Sequence, residues 1–89
     1  MSEVEPRVLT EDVRAILQQE IRSSDEEEGE SVALLAEKAD TSTRTIYRIL
    51  GLKTKSVSLD LADKLLVATG RHLSECRLLW PDGSVTGYN

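Results

Sequence analysis

Between Val32 and Leu50 the chain reads VALLAEKADTSTRTIYRIL, and this stretch restricts the fold more than any other. Apolar residues recur at helical spacing on both sides of a polar interruption: Leu34, Leu35, Ala36 and Ala39 before it, Ile46, Ile49 and Leu50 after it. The interruption is short enough for a tight turn, and Ser42 or Thr43 supplies a hydroxyl that caps a following helix. On that second helix Arg44, Tyr47 and Arg48 are three and four residues apart, so they project together, away from Ile46 and Ile49. A helix held by an apolar back while presenting Arg and Tyr outward is suited to pressing on a partner. Duplex DNA is the expected one.

Eighty-nine residues, 39% of them hydrophobic, are enough for one core. Phe is absent and aromatics amount to 3%, so the core must come from Leu, Ile, Val and Ala. With only two prolines, that palette predicts an all-α fold. The expected form is a small bundle of four to five helices containing a helix-turn-helix, with a short C-terminal β-hairpin. No apolar run reaches the roughly 20 residues that cross a bilayer, and MSEVEPRVLT lacks the apolar stretch of a signal peptide. A soluble, cytoplasmic protein with no membrane partner is therefore expected. The single cysteine, Cys76, excludes an intramolecular disulfide; its neighbours Leu73, Leu78 and Leu79 predict a core position.

A net charge of −5 argues against a nucleic-acid partner until its distribution is read. Residues 1–30 hold ten acids and three arginines, whereas residues 31–89 hold eight bases and six acids. Between Lys38 and Ser56 five bases face one acid, Asp40. The positive end of this dipole coincides with the helix pair.

Along the chain, residues 1–9 read as a flexible acidic lead, with Pro6 discouraging helix. Thr10 is an N-cap candidate for a first helix over Glu11–Arg22, whose stripe is Val13, Ile16, Leu17 and Ile21. The run from Ser23 to Glu30 reads as a solvated acidic linker. Helices over Ser31–Lys38 and Thr43–Leu50 follow, the latter closed by Gly51. After a polar connector from Lys53 to Val57, Ser58 caps a fourth helix ending at Gly70, and a short fifth helix spans Leu73–Leu78. The turn Pro81-Asp82-Gly83-Ser84 predicts a small hairpin joining Leu78–Trp80 to Val85–Thr86. The domain division is thus a lead (1–9), a helix-turn-helix domain (10–77) and an extension (78–89).

From Val32 onward the chain resembles the helix-turn-helix of the Cro/C1 repressor family. Ala36 stands where that family keeps a small residue at the helix crossing, and Asp40 stands where its turn usually has glycine. Ile46 and Ile49 match the positions that pin the recognition helix, and SLDLADKLLVATG, Ser58 to Gly70, looks like the helix that follows. The resemblance covers about residues 31–77 and implies a phage-repressor-like regulator of transcription, with the helix of residues 43–50 in the major groove. It implies that Ser42, Thr43, Arg44, Tyr47 and Arg48 face DNA. Arg44 and Arg48 are suited to bidentate contact with guanine. Lys53 and Lys55, with Thr41 and Thr45 as hydroxyl donors, would meet phosphate.

Family members often dimerise on paired half-sites, and Leu78, Leu79, Trp80, Val85 and Tyr88 are the expected contact between copies. A rival expectation is a protein-interaction module, or an antitoxin, that grips a basic partner with the acidic segment Asp25–Glu30. No catalytic constellation, cofactor motif or metal-ligand spacing is visible, and the lone His72 has no second ligand near it in sequence. A non-enzymatic role is expected.

Overall fold

The computed structural model describes residues 5–87. In chain order the elements are β1 (Arg7–Leu9), α1 (Thr10–Ser23), α2 (Glu28–Lys38), α3 (Thr43–Leu50), β2 (Ser56–Val57), α4 (Leu59–Ala68), β3 (Leu78–Leu79) and β4 (Val85–Thr86). The strands form one antiparallel sheet in the order β2-β1-β3-β4. The fold is therefore mixed α/β, and the expectation of an all-α bundle is corrected: four helices stand beside a four-stranded sheet.

The sheet takes residues assigned above to a lead, a connector and a helix. β1 lies in the expected flexible lead, yet Val8 is fully buried and pairs with Val57 on one side and Leu78 on the other. Pro6 stands just before the strand, where its missing N–H leaves the ladder intact. The expected fifth helix shrinks to one 3₁₀ turn, Leu73–Glu75. His72 caps that turn with Nδ1, which accepts from the Ser74 N–H at 3.1 Å, while Glu75 accepts from the His72 N–H at 3.1 Å. Beyond it the chain is extended, because the backbone of Arg77 is claimed by other elements. Its N–H donates to Asp12 at 2.8 Å and its carbonyl accepts from Leu9 N–H at 3.2 Å. The C-terminal hairpin is present as half of the larger sheet. Its turn is closed by Gly83 N–H to the Trp80 carbonyl at 2.9 Å, with Gly83 at φ 92°.

The core is one cluster in which Leu17, Ile46, Ile49, Leu65, Leu66, Val8, Val13 and Val32 are essentially solvent-free. Burying each such side chain contributes about 1.5–3 kcal/mol. Cys76 belongs to this cluster, and burial together with the nearby Asp12 and Glu75 charges pushes its thiol up to about 11. Leu34 does not belong: it points away from the core at 46% exposure, although the spacing placed it on the apolar side. Thr10 is likewise the first residue of α1 and not its cap. It is buried, with its N–H donating to the Lys55 carbonyl at 3.0 Å. The acidic linker is shorter than expected, since α1 runs to Ser23 and α2 starts at Glu28. Glu28 and Glu30 sit in the first turn of α2, where carboxylates favour the positive end of the helix dipole.

Three helices end in the same way. After α2, Asp40 at φ 54° lets its N–H reach the Glu37 carbonyl (3.2 Å) and lets Thr41 N–H reach Ala36 (2.9 Å). Asp accepts this left-handed conformation better than most residues, so the turn forms without the glycine. After α4, Gly70 does the same at φ 76°. After α3 the left-handed position falls on Leu52 at φ 53°, one residue beyond Gly51, whose own φ is −88°. A branched side chain there costs about 1–2 kcal/mol, and Leu52 is 46% exposed. Leu52→Gly should therefore stabilise the fold by about 0.5–1 kcal/mol, after allowance for glycine's freer unfolded chain. A thermal melt reads this as a rise of a few degrees; a fall would mean that Leu52 packing outweighs its backbone cost.

Candidate nucleic-acid interface

Helix α3 is fixed at both ends and along its back. At the start, Ser42 Oγ accepts from Thr45 N–H at 3.2 Å and lies 3.0 Å from Thr45 Oγ1. Along the back, Ile46 and Ile49 are buried. At the end, Arg14 of α1 donates from Nε to the Leu50 carbonyl at 2.9 Å, satisfying a group that the last turn leaves without a partner. The cap engages the hydroxyls of Ser42 and Thr45, so these two expected DNA-facing residues have a structural task in the isolated chain.

The outward face carries Thr43, Arg44, Tyr47 and Arg48, all exposed. Helical spacing puts Arg44 midway, with Tyr47 and Arg48 on opposite flanks. Each flank opens onto a cleft. On one side Tyr47 lines a cleft of about 430 Å³ with Gln18, Ile21, Arg22 and Glu28. On the other, Arg48 lines one of about 230 Å³ with Arg7, Thr45, Thr54, Ser56 and Ser58. Thr41, half-buried, is committed to the turn through its N–H.

Lys53 and Lys55 are exposed but border a third cleft, which they share with Leu52, Thr54 and Glu11. The Lys53 stem lies close to the end of α3: a Cβ added at Gly51 would sit 3.7 Å from Lys53 Cε. These two lysines thus stand nearer an acid and a helix C-terminus than the sequence suggested. Arg7 is a residue that helical spacing does not group with α3. It sits in β1, far from α3 in the chain and inside the acidic third of the sequence, and only strand pairing brings it beside Arg48.

Charge pairing separates the cations into two groups. Arg77 donates to Asp12 through Nε (3.0 Å) and Nη2 (2.8 Å), and to Glu11 through Nη2 (2.8 Å). These hydrogen bonds hold the Asp12 carboxyl below the usual carboxylate range, against its partial burial. Lys64 and Arg71 pair with Asp60 and Glu75. Among the described residues, Arg7, Arg14, Arg22, Lys38, Arg44, Arg48, Lys53 and Lys55 have no carboxylate partner within salt-bridge distance. Two acids of the N-terminal third, Glu11 and Asp12, are thus engaged by Arg77, and Arg7 lies with the bases of α3, whereas Asp25–Glu30 remains an exposed acidic segment.

Of the residues expected to join two copies, Leu78, Leu79 and Trp80 are half-buried within their own chain, and Trp80 Nε1 donates to Thr86 Oγ1 at 2.9 Å. Val85 on the edge strand β4 is 47% exposed, and Tyr88 lies outside the described residues. No described helix is long and apolar enough to cross a membrane. Comparison with protein-family models, with curated proteins and with solved structures finds no match.

Proposed function

We propose that the chain is a sequence-specific duplex-DNA-binding regulator, repressor-like, that reads the major groove with α3 in the cytoplasm of a bacterial or phage-infected cell. The observation that supports it best is the pair Arg44 and Arg48, exposed and without a carboxylate partner among the described residues, on a helix fixed at both ends and along its back. A rigid helix lowers the ordering cost of binding, and a free guanidinium can take guanine O6 and N7 together. Thr43 and Tyr47 complete the reading face; Lys53, Lys55 and Thr41 stand at its edge as phosphate contacts. Two copies would meet through the β3–β4 hairpin and address two half-sites about 34 Å apart.

Selection of bound sequences from a random duplex library tests this. The expected result is enrichment of a motif containing guanine, as a two-fold repeat if two copies bind and as one half-site if one does. No enrichment of any sequence would overturn the DNA reading.

The second reading is a module that grips a basic protein, as an antitoxin does. Asp25, Glu26, Glu27, Glu28 and Glu30 favour it, being exposed and unpaired among the described residues.

A further inference from the structure

On the Arg48 flank, the cleft between β1, α3 and the segment leading into α4 has an unusual lining. Two arginines, Arg7 and Arg48, share it with the hydroxyl residues Thr45, Thr54, Ser56 and Ser58, and among the described residues no carboxylate lines it. Arg7 is held in place by β2: Nε donates to Ser56 Oγ at 2.8 Å and Nη2 to the Ser56 carbonyl at 3.2 Å. Its Nη1 has no partner among the described residues. Two like charges in one cleft repel unless an anion joins them. Guanidinium groups with hydroxyls around them are the donor set that suits a tetrahedral phosphate oxyanion.

We infer that this cleft is a phosphate site, in which Arg7, with the charge of Arg48 beside it, takes one backbone phosphate of the duplex that α3 reads. The inference rests on the DNA reading for its ligand, and on the cleft alone for its chemistry. Arg7 is then the strand-borne anchor that sets the register of α3. It is better placed for this than Lys53 or Lys55, whose cleft contains Glu11. A phosphate contact carries no base information, so Arg7 acts on affinity and leaves preference alone.

The test has two arms. Inorganic phosphate titrated into the full chain should shift the amide resonances of Thr45, Ser56 and Ser58 in the wild type and not in Arg7→Ala. Arg7→Lys, which keeps the charge, should retain part of the shift; matching melting curves establish that both variants fold. In the second arm, Arg7→Ala should weaken binding roughly tenfold, and equally on the selected duplex and on a scrambled one. Its salt dependence should become shallower by about 0.9 in logarithmic slope, the value of one phosphate contact. Wild-type shifts and slope in Arg7→Ala would overturn the proposal. Phosphate shifts lost in Arg7→Ala, with no duplex bound by the wild type, would leave an anion site and remove only the DNA reading. A loss of binding confined to the selected duplex would also overturn it, since Arg7 would then be reading bases.

Discussion

Replacing Arg44 and Arg48 together by Ala should abolish specific binding to the selected duplex. Each bidentate contact to guanine discriminates by about 1–3 kcal/mol, so the pair should cost at least roughly thirtyfold in affinity. Both side chains are exposed and neither makes an ion pair among the described residues. The fold should therefore keep its melting temperature, as surface substitutions usually do within about 0.5 kcal/mol. Electrophoretic shift or fluorescence anisotropy, with a thermal melt as control, reads both quantities. The single variants separate the roles: Arg44→Ala should relax base preference, whereas Arg48→Ala, shared with the phosphate cleft, should also lower affinity for a scrambled duplex. Unchanged binding in the double variant would transfer the function to the acidic surface around Asp25–Glu30. That reading predicts no effect of either arginine.

The second large effect is on stability. Asp12→Asn should destabilise the domain by roughly 2 kcal/mol at neutral pH, because hydrogen bonds to a charged group contribute about 1.5–3 kcal/mol. Solvent around the half-exposed guanidinium keeps the figure below that of a fully buried pair. For a domain of this size the melting temperature should fall by about 10 °C. The effect is also pH-dependent, with a defined sign. The carboxyl of Asp12 is held below its ordinary value in the folded chain. The stability it supplies is therefore complete above its unfolded value and is lost as pH falls through the lower folded value. Wild type and variant should converge only once pH has fallen below the ordinary carboxylate range and through the lowered folded value of Asp12. A gap that stays constant from pH 7 to pH 2 would show that shape, and not charge, holds this junction.

The helices were legible because their signals are local. Ile46 and Ile49 give the buried face of α3, Ser42 and Ser58 do cap α3 and α4, and Gly70 ends α4 in the left-handed conformation that its lack of a side chain permits. The sheet was not legible, since its strands are two or three residues long and alternation cannot be recognised in so short a run. Val8 and Val57 are core residues whose burial is decided by each other and not by their neighbours in sequence. The site divides along the same line. Arg44, Tyr47 and Arg48 could be grouped by helical spacing alone, but Arg7 joins them only through β1–β2 pairing. Leu52 shows a different limit: Gly51 is the obvious helix stop, yet the positive φ falls one residue later.

The position of β1 has a kinetic consequence. It is an inner strand, flanked by β2 and β3, and its partner Leu79 lies almost at the other end of the chain from Arg7. Closing so long a loop is slow compared with winding helices that touch their sequence neighbours. Helix α3 should thus assemble early against α1 and α2, while the sheet that positions Arg7 closes last. In that order of events the chain holds the Arg44–Arg48 face of α3 before β1 brings Arg7 beside it.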